Sequence, residues 1–340
     1  MRTMLEDRLG ELCRKFGYAP YKMSRFEEYE LYVRNKDFLQ SDRVITFSGS
    51  DGRLLAMKPD VTLSIVKNAP EAPGAVRKVH YRENVYRQDR DSGGFREILQ
   101  AGVECVGDVG SYEVAEVVYL AAKSLAALGN GTILSLSHVG LIRQALEKSG
   151  LSQKQWKQAL DCLRQKREQE LRALCRESGA DETLPLALLR ARTAADLGML
   201  EDCEACEELR RTLGLLDPDQ VRLDFSLGND MKYYSGLVFQ GYVRGVPASV
   251  LSGGQYDRLL SHMGKKARAI GFAVYLDRLP EGQDGWDVDT LLLVGDADPG
   301  EILAAAESLP GSVLAAKAEP ADRVWKRRAV LEKGEVRYLD

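Results

Sequence analysis

Long apolar runs are missing from this chain. Nowhere in its 340 residues do eighteen apolar side chains stand together, so no segment is built to cross a bilayer as a helix. An excess of one charge is missing too. The 47 Lys and Arg face 51 Asp and Glu, a net of −4, which leaves no overall basic field to hold a nucleic-acid backbone by counterion release. Histidine is scarce: His80, His138 and His262 are the whole set, and none accompanies a Ser or Cys in the pattern of a hydrolytic triad. The six cysteines are thinly spread, which suits free thiols in a reducing compartment. Cys203 and Cys206 form a C-x-x-C, but no second pair follows to complete four zinc ligands, so no metal site is expected. Their surroundings, EDCEACEELRR, read as a charged helix. The N-terminal MRTMLEDRLGELCRKFGY is charged every few residues and does not read as a signal peptide. Internal repeats and low-complexity segments are absent. A cytoplasmic protein with no membrane segment is the expectation.

What is present is ordinary globular composition, 44% apolar and 29% charged, at a length that predicts about two domains. Leu5, Leu9, Leu12 and Phe16 fall at helical spacing and predict a helix over 3–16. RVITF (43–47) and RLLAMK (53–58), separated by SGSDG, predict a hairpin. A short helix from Pro59 to about Asn68 follows. Strands are predicted over 77–86 and 98–106, and a helix over 112–128. From about 141 to 215 the chain is almost wholly helical in propensity and reads as a helical insertion. Strand character returns at 221–227, 236–243, 249–253 and 269–275, with a helix at 255–263. A C-terminal piece, 287–340, gives strand, helix, strand. The fold class is α+β: an antiparallel sheet flanked by helices over 1–280, interrupted by the insertion, then a small α/β domain.

The densest polar constellation lies between Arg77 and Glu104. Arg77, Lys78, Arg82, Arg87, Arg90 and Arg96 crowd within twenty residues, opposed by Glu83, Asp89 and Asp91. Alternation along a strand repeats side chains on one face every second residue. Two readings follow: a solvated sheet face with cross-strand ion pairs, or an arginine-bearing face that holds a phosphate or carboxylate by its paired donors.

Four segments, taken in order, resemble a class II aminoacyl-tRNA synthetase of the histidyl branch. MKPDVT (57–62) is similar to that family's Arg-Pro-Glu-Gly-Thr segment, and VYRQDR with FREILQAGVECVG (85–107) to its second motif and the strand after it. KYYSGLVFQGY (232–242) resembles the histidine-specific tyrosine-pair segment, and SGGQYDRLL with AIGFAVYLDRL (252–279) the third motif and its lead-in. The resemblance implies that Arg87 and Arg278 fall on the arginines that hold ATP phosphates. It also implies that Asp60, Thr62, Gln100, Glu104 and Tyr234, with Tyr233 beside them, fall on the histidine pocket. Carboxylates there pair with an amino group or imidazolium, while amide and hydroxyl groups orient the ligand.

The departures point the same way. Asn229 stands three residues before the tyrosine-pair segment, where the synthetases carry an arginine, and a short neutral amide cannot replace a guanidinium aimed at a phosphoryl group. Lys232 replaces the family's aspartate, Gln255 an arginine and Ser24 the first-motif proline. About sixty residues follow Leu279, where those enzymes carry a larger anticodon-binding domain, so no tRNA is expected as partner. The resemblance is then to the family's non-catalytic relatives, the regulatory subunits of ATP phosphoribosyltransferase. That implies no cofactor, a short-form catalytic subunit as partner, dimers within a hetero-octamer, and histidine as the ligand, either in the old pocket or at a subunit interface. The alternative is a divergent synthetase-like enzyme that still activates an amino acid with ATP, for which Arg87 and Arg278 speak. A synthetase-like protein acting on an unrelated carrier or RNA has no particular residue behind it.

Overall fold

A computed structural model describes residues 2–39, 43–88, 93–129, 131–200, 202–227, 233–279, 286 and 288–339. The chain divides into two compact units, one running from Thr3 to Leu279 and the other formed by the residues after it together with the first two. Among the described residues no helix is long and apolar enough to cross a membrane.

The larger unit opens with α1 (Arg2–Lys15) and β1 (Ala19–Pro20). The stretch 26–34, which alternation leaves ambiguous, divides into β2 (Phe26–Glu28) and α2 (Tyr29–Arg34). Next come β3 (Thr46–Ser48), β4 (Leu54–Met57) and α3 (Thr62–Val66). The expected hairpin forms, with β3 antiparallel to β4 and β2 on the other side of β4. The helix expected from Pro59 begins later, at Thr62, and the Asp60 carboxylate reaches its first turn, where Oδ1 accepts from Leu63 N at 2.9 Å.

Then follow β5 (Val76–Gln88), β6 (Phe95–Gly107), α4 (Ser111–Ala126) and β7 (Thr132–His138). Five helices come next, α5 (Val139–Ser149), α6 (Gln153–Arg164), α7 (Glu168–Glu177), α8 (Thr183–Arg190) and α9 (Glu204–Leu213). The unit ends with β8 (Val221–Leu223), β9 (Leu237–Val243), β10 (Leu251–Gln255), α10 (Asp257–His262) and β11 (Arg268–Tyr275). The strand expected over 221–227 stops at Leu223, and a 3₁₀ turn takes Phe225–Leu227.

Eight strands make one sheet in the order β1-β5-β6-β11-β10-β9-β7-β8, antiparallel except for the parallel pairs at its two edges. Alternation decides what each face holds. On β6, Ala101, Val103 and Cys105 join the core beneath α4 and the helical region, while Gln100, Gly102, Glu104 and Val106 face the other way. The apolar residues of α5–α9, such as Leu146, Leu163, Leu188 and Leu209, belong to that same continuous core. Within the helical stretch α9 packs against β7, while α5–α8 pack chiefly on one another and share the core on this side of the sheet. A second core packs α3 and α10 against the opposite face through Leu63, Ile65, Val79, Tyr81, Leu259 and Leu260.

The smaller unit holds β12 (Val288–Leu293), α11 (Pro299–Ser308), β13 (Val313–Ala316), β14 (Trp325–Glu332) and β15 (Glu335–Tyr338). Its sheet runs β13-β12-β14-β15, parallel over the first three strands and antiparallel at β15. The last hairpin goes beyond the expected strand-helix-strand. It turns through Lys333 and Gly334, both at positive φ. Asp298 caps α11 by accepting from Gly300 N at 2.8 Å, with Pro299 in the first turn.

Candidate functional site

The pleat of β6 puts Gln100 and Glu104 on one face four residues apart, opposite Glu83 and Val79 of β5 and Tyr275 and Gly271 of β11. Glycine makes the room between them. A β-carbon at Gly271 would stand 1.8 Å from Glu104 Oε2, and one at Gly254 would stand 2.7 Å from the Tyr234 ring. The result is a cavity of about 440 Å³ including its mouth, lined by Asp60, Thr62, Arg87, Gln100, Glu104, Tyr233 and Tyr234 among others.

Glu104 is 3% exposed and, among the described residues, is held by hydroxyls alone. Thr62 Oγ1 donates to its Oε1 at 2.8 Å and Tyr256 Oη donates to its Oε2. Burial pushes its pKa up to about 8, against which the two hydroxyl donors pull; Asp60 adds a smaller push upward. Asp60 is raised as well, first by burial, opposed by Arg87 and by the backbone N–H groups of Leu63 and Thr62. Arg87 Nη2 lies 4.0 Å from Asp60 Oδ2, and its Nε donates to Pro59 O at 2.8 Å. Burial, then Asp60, Tyr234 and Glu104, holds the Tyr233 phenol far above its ordinary range. The rings of Tyr233 and Tyr234 meet edge to face at 4.8 Å. Gln100, 3% exposed, has an Nε2 with no hydrogen-bond partner among the described residues. A buried amide donor left open costs about 1–3 kcal/mol unless something fills the space in front of it.

Of the six basic residues between 77 and 96, Arg87 alone among the described residues lines the cavity. Lys78 pairs with Glu116 at 2.7 Å, and Arg77 lies over the Tyr21 ring at 5.3 Å. Arg90 lies outside the described residues. Arg278, expected beside Arg87, stands outside the wall: its guanidinium stacks on Tyr275 at 4.1 Å and donates to Ser249 O at 2.5 Å. Asn229 and Lys232 lie outside the described residues. Gln255 faces the opposite side of the sheet, because it pairs with Ile270 and shares that residue's core-facing side, so its departure from the family pattern does not face the pocket. Among the lining residues that the sequence reading did not single out are Tyr81 and Tyr256. Tyr81 lies directly across from Gly102, an aromatic over glycine in a cross-strand pair, and Tyr256 ends the quoted SGGQY segment. Both signals were in plain sight.

The family model for histidyl-tRNA synthetase matches residues 1–279. An ATP phosphoribosyltransferase regulatory subunit from Anaeromyxobacter sp. is 30% identical over 296 residues, 80% of this chain and 85% of that protein. The chain belongs to the histidyl-tRNA synthetase family, among its ATP phosphoribosyltransferase regulatory subunits. A histidine–tRNA ligase from Methanoregula boonei is 29% identical over 82% of this chain and 70% of its own, so the family includes enzymes as well. The solved ATP phosphoribosyl transferase (HisG:HisZ) complex from Thermotoga maritima contains a chain of this fold, with a TM-score of 0.66 at 18% identity over 81% of this chain and 97% of that one. The class II synthetase-like fold and the family are therefore those that the four sequence segments imply.

Proposed function

We propose that this chain acts in the cytoplasm as a non-catalytic subunit. It would activate a short-form ATP phosphoribosyltransferase catalytic subunit and bind histidine in the cavity of Gln100 and Glu104 to report feedback. The observation that carries the reading is the unfilled Gln100 amide beside the buried Glu104 carboxyl, the partly buried Asp60 and the Tyr233–Tyr234 pair, all lining one pocket. An ammonium or imidazole N–H meets Glu104 and Asp60, and the Gln100 amide donates to a carboxylate or ring nitrogen. Among the described residues, both arginines expected at the ATP phosphates are engaged with this chain's own groups. Arg278 is occupied outside the cavity by Tyr275 and Ser249, Arg87 by Asp60 and Pro59, and an asparagine stands at 229. Histidine transmits inhibition only by binding two assembly states with unequal affinity, since tight binding alone shifts no equilibrium.

The test adds the purified chain to the short-form catalytic subunit of the same organism and follows phosphoribosyl-ATP formation with and without histidine. Activation that histidine reverses, and that Gln100→Ala makes insensitive to histidine, is the expected result. A catalytic subunit fully active and histidine-sensitive alone would remove the reading. Amino-acid-dependent pyrophosphate exchange by this chain would replace it with the ligase alternative.

A further inference from the structure

Gln255 ends β10 on the helical side of the sheet and is 2% exposed. Both ends of its amide are engaged. Oε1 accepts from Leu237 N, and Nε2 reaches Glu208 Oε1 on α9 at 3.5 Å. Its main-chain carbonyl accepts from Ser235 N at 2.8 Å, and a β-carbon at Gly236 would overlap Oε1. Residues 235–237, which directly follow the tyrosine pair of the pocket, are thus fixed from behind by one glutamine. The Tyr234 ring in turn lies on Gly254, its neighbour in β10.

From Glu208 the path continues. Its Oε2 is 2.9 Å from His138 Nε2, and His138 Nδ1 accepts from Gly140 N at 3.0 Å, which leaves the ring proton on Nε2 to point at the carboxylate. Val139 N closes the circuit by donating to Gly236 O at 2.9 Å. An arginine at 255 could not take this place. Having no acceptor, it would strand the buried Leu237 N–H. Glutamine here is therefore a fitted part of the sheet.

Resting on the histidine reading of the pocket, we propose that Gln255 and Glu208 are positioning residues that couple the tyrosine wall to α9, so that filling the pocket and ordering this helix are one event. The two states are a wall closed on its ligand with 235–237 pinned, and an open wall with the Gln255–Glu208 bond loosened. Coupling of this kind is carried by a hydrogen-bond network that differs between the states.

The test uses the full chain with L-histidine as probe, reading affinity by calorimetry and amide hydrogen exchange by mass spectrometry. In the wild type, histidine is expected to slow exchange both at 233–237 and across Glu204–Leu213. Glu208→Gln, a change at a half-buried position that leaves the core intact, is expected to keep the slowing at 233–237 and lose it on α9. Gln255→Leu is expected to weaken histidine by about tenfold, and the double variant no further, the non-additivity of residues in one network. Histidine binding with α9 exchange unchanged, or losses that simply add, overturns the coupling alone. No histidine binding by the wild type overturns the histidine reading, and this proposal falls with it.

Discussion

Replacing Glu104 with glutamine should flatten the dependence of stability on pH. Folding lifts this carboxyl from its ordinary 4.5 to about 8. Below pH 4.5 the group is protonated in both the folded and the unfolded chain and contributes no slope. Between 4.5 and 8 the folded chain holds a proton that the unfolded chain has lost, so stability falls as pH rises, by about 1.4 kcal/mol per unit. Above 8 both forms are ionised and the slope ends. Over the interval from pH 6 to 7.5 the loss assigned to Glu104 is therefore about 2 kcal/mol. The cause is physical: the carboxyl sits among Tyr256, Thr62 and the glycine floor, and no basic side chain is bonded to it. Glutamine keeps the shape and still accepts from one hydroxyl, but it has no proton to lose. Urea unfolding of both proteins at the two pH values measures the difference directly. The same fall in the Glu104→Gln variant as in the wild type would refute the assignment, and with it the picture of a pocket that meets its ligand with a neutral acid.

A cation that engages Glu104 must drive off that proton, so the calorimetric enthalpy of histidine binding at pH 7 should vary with the ionisation enthalpy of the buffer; no variation would place the ligand's positive group elsewhere. Gly271→Ala brings a β-carbon onto Glu104 Oε2, and displacing that side chain should cost about 1–3 kcal/mol by unfolding and abolish histidine binding. Lys58 is 1% exposed and pairs with Glu83, which also accepts from Met23 N at 3.1 Å. Lys58→Met should therefore cost about 3–5 kcal/mol by leaving a largely buried carboxylate without its partner, whereas the pair Lys58→Met with Glu83→Gln should recover much of the loss.

Much of the large sheet was legible because its strands carry their burial in the pleat. The alternation of β5 and β6 and the hairpin chemistry of SGSDG need no partner to be seen. β7, TILSLSH, passed unnoticed although Leu134 and Leu136 alternate with Ser135 and Ser137: the pattern is short, and the strand is buried along most of its length on both faces. The C-terminal hairpin was hidden for the opposite reason. WKRRAVLE and EVRY are strongly charged, and only pairing, of the first with β12 and of the second with the first, turns them into strands. The pocket was read residue by residue through resemblance, and Asp60, Thr62, Arg87, Gln100, Glu104, Tyr233 and Tyr234 do converge on one cavity. Arg278 does not, because a contact between an arginine and an aromatic face cannot be inferred from spacing.

Gln255 shows how far parity alone could have gone. Read as a lost arginine, it counted with Asn229 toward a dismantled activation site. Yet position 254 must face the pocket if its glycine is to bear the Tyr234 ring, and the next residue on a strand faces the other side. Position 255 therefore bears on α9 behind the sheet and not on the pocket. Gln255 supplies an acceptor that an arginine lacks, spent on Leu237 N, and a donor turned toward Glu208. The fit of Gln255 to Leu237, Gly236 and Glu208 is the geometry on which the proposed coupling of the pocket to α9 rests.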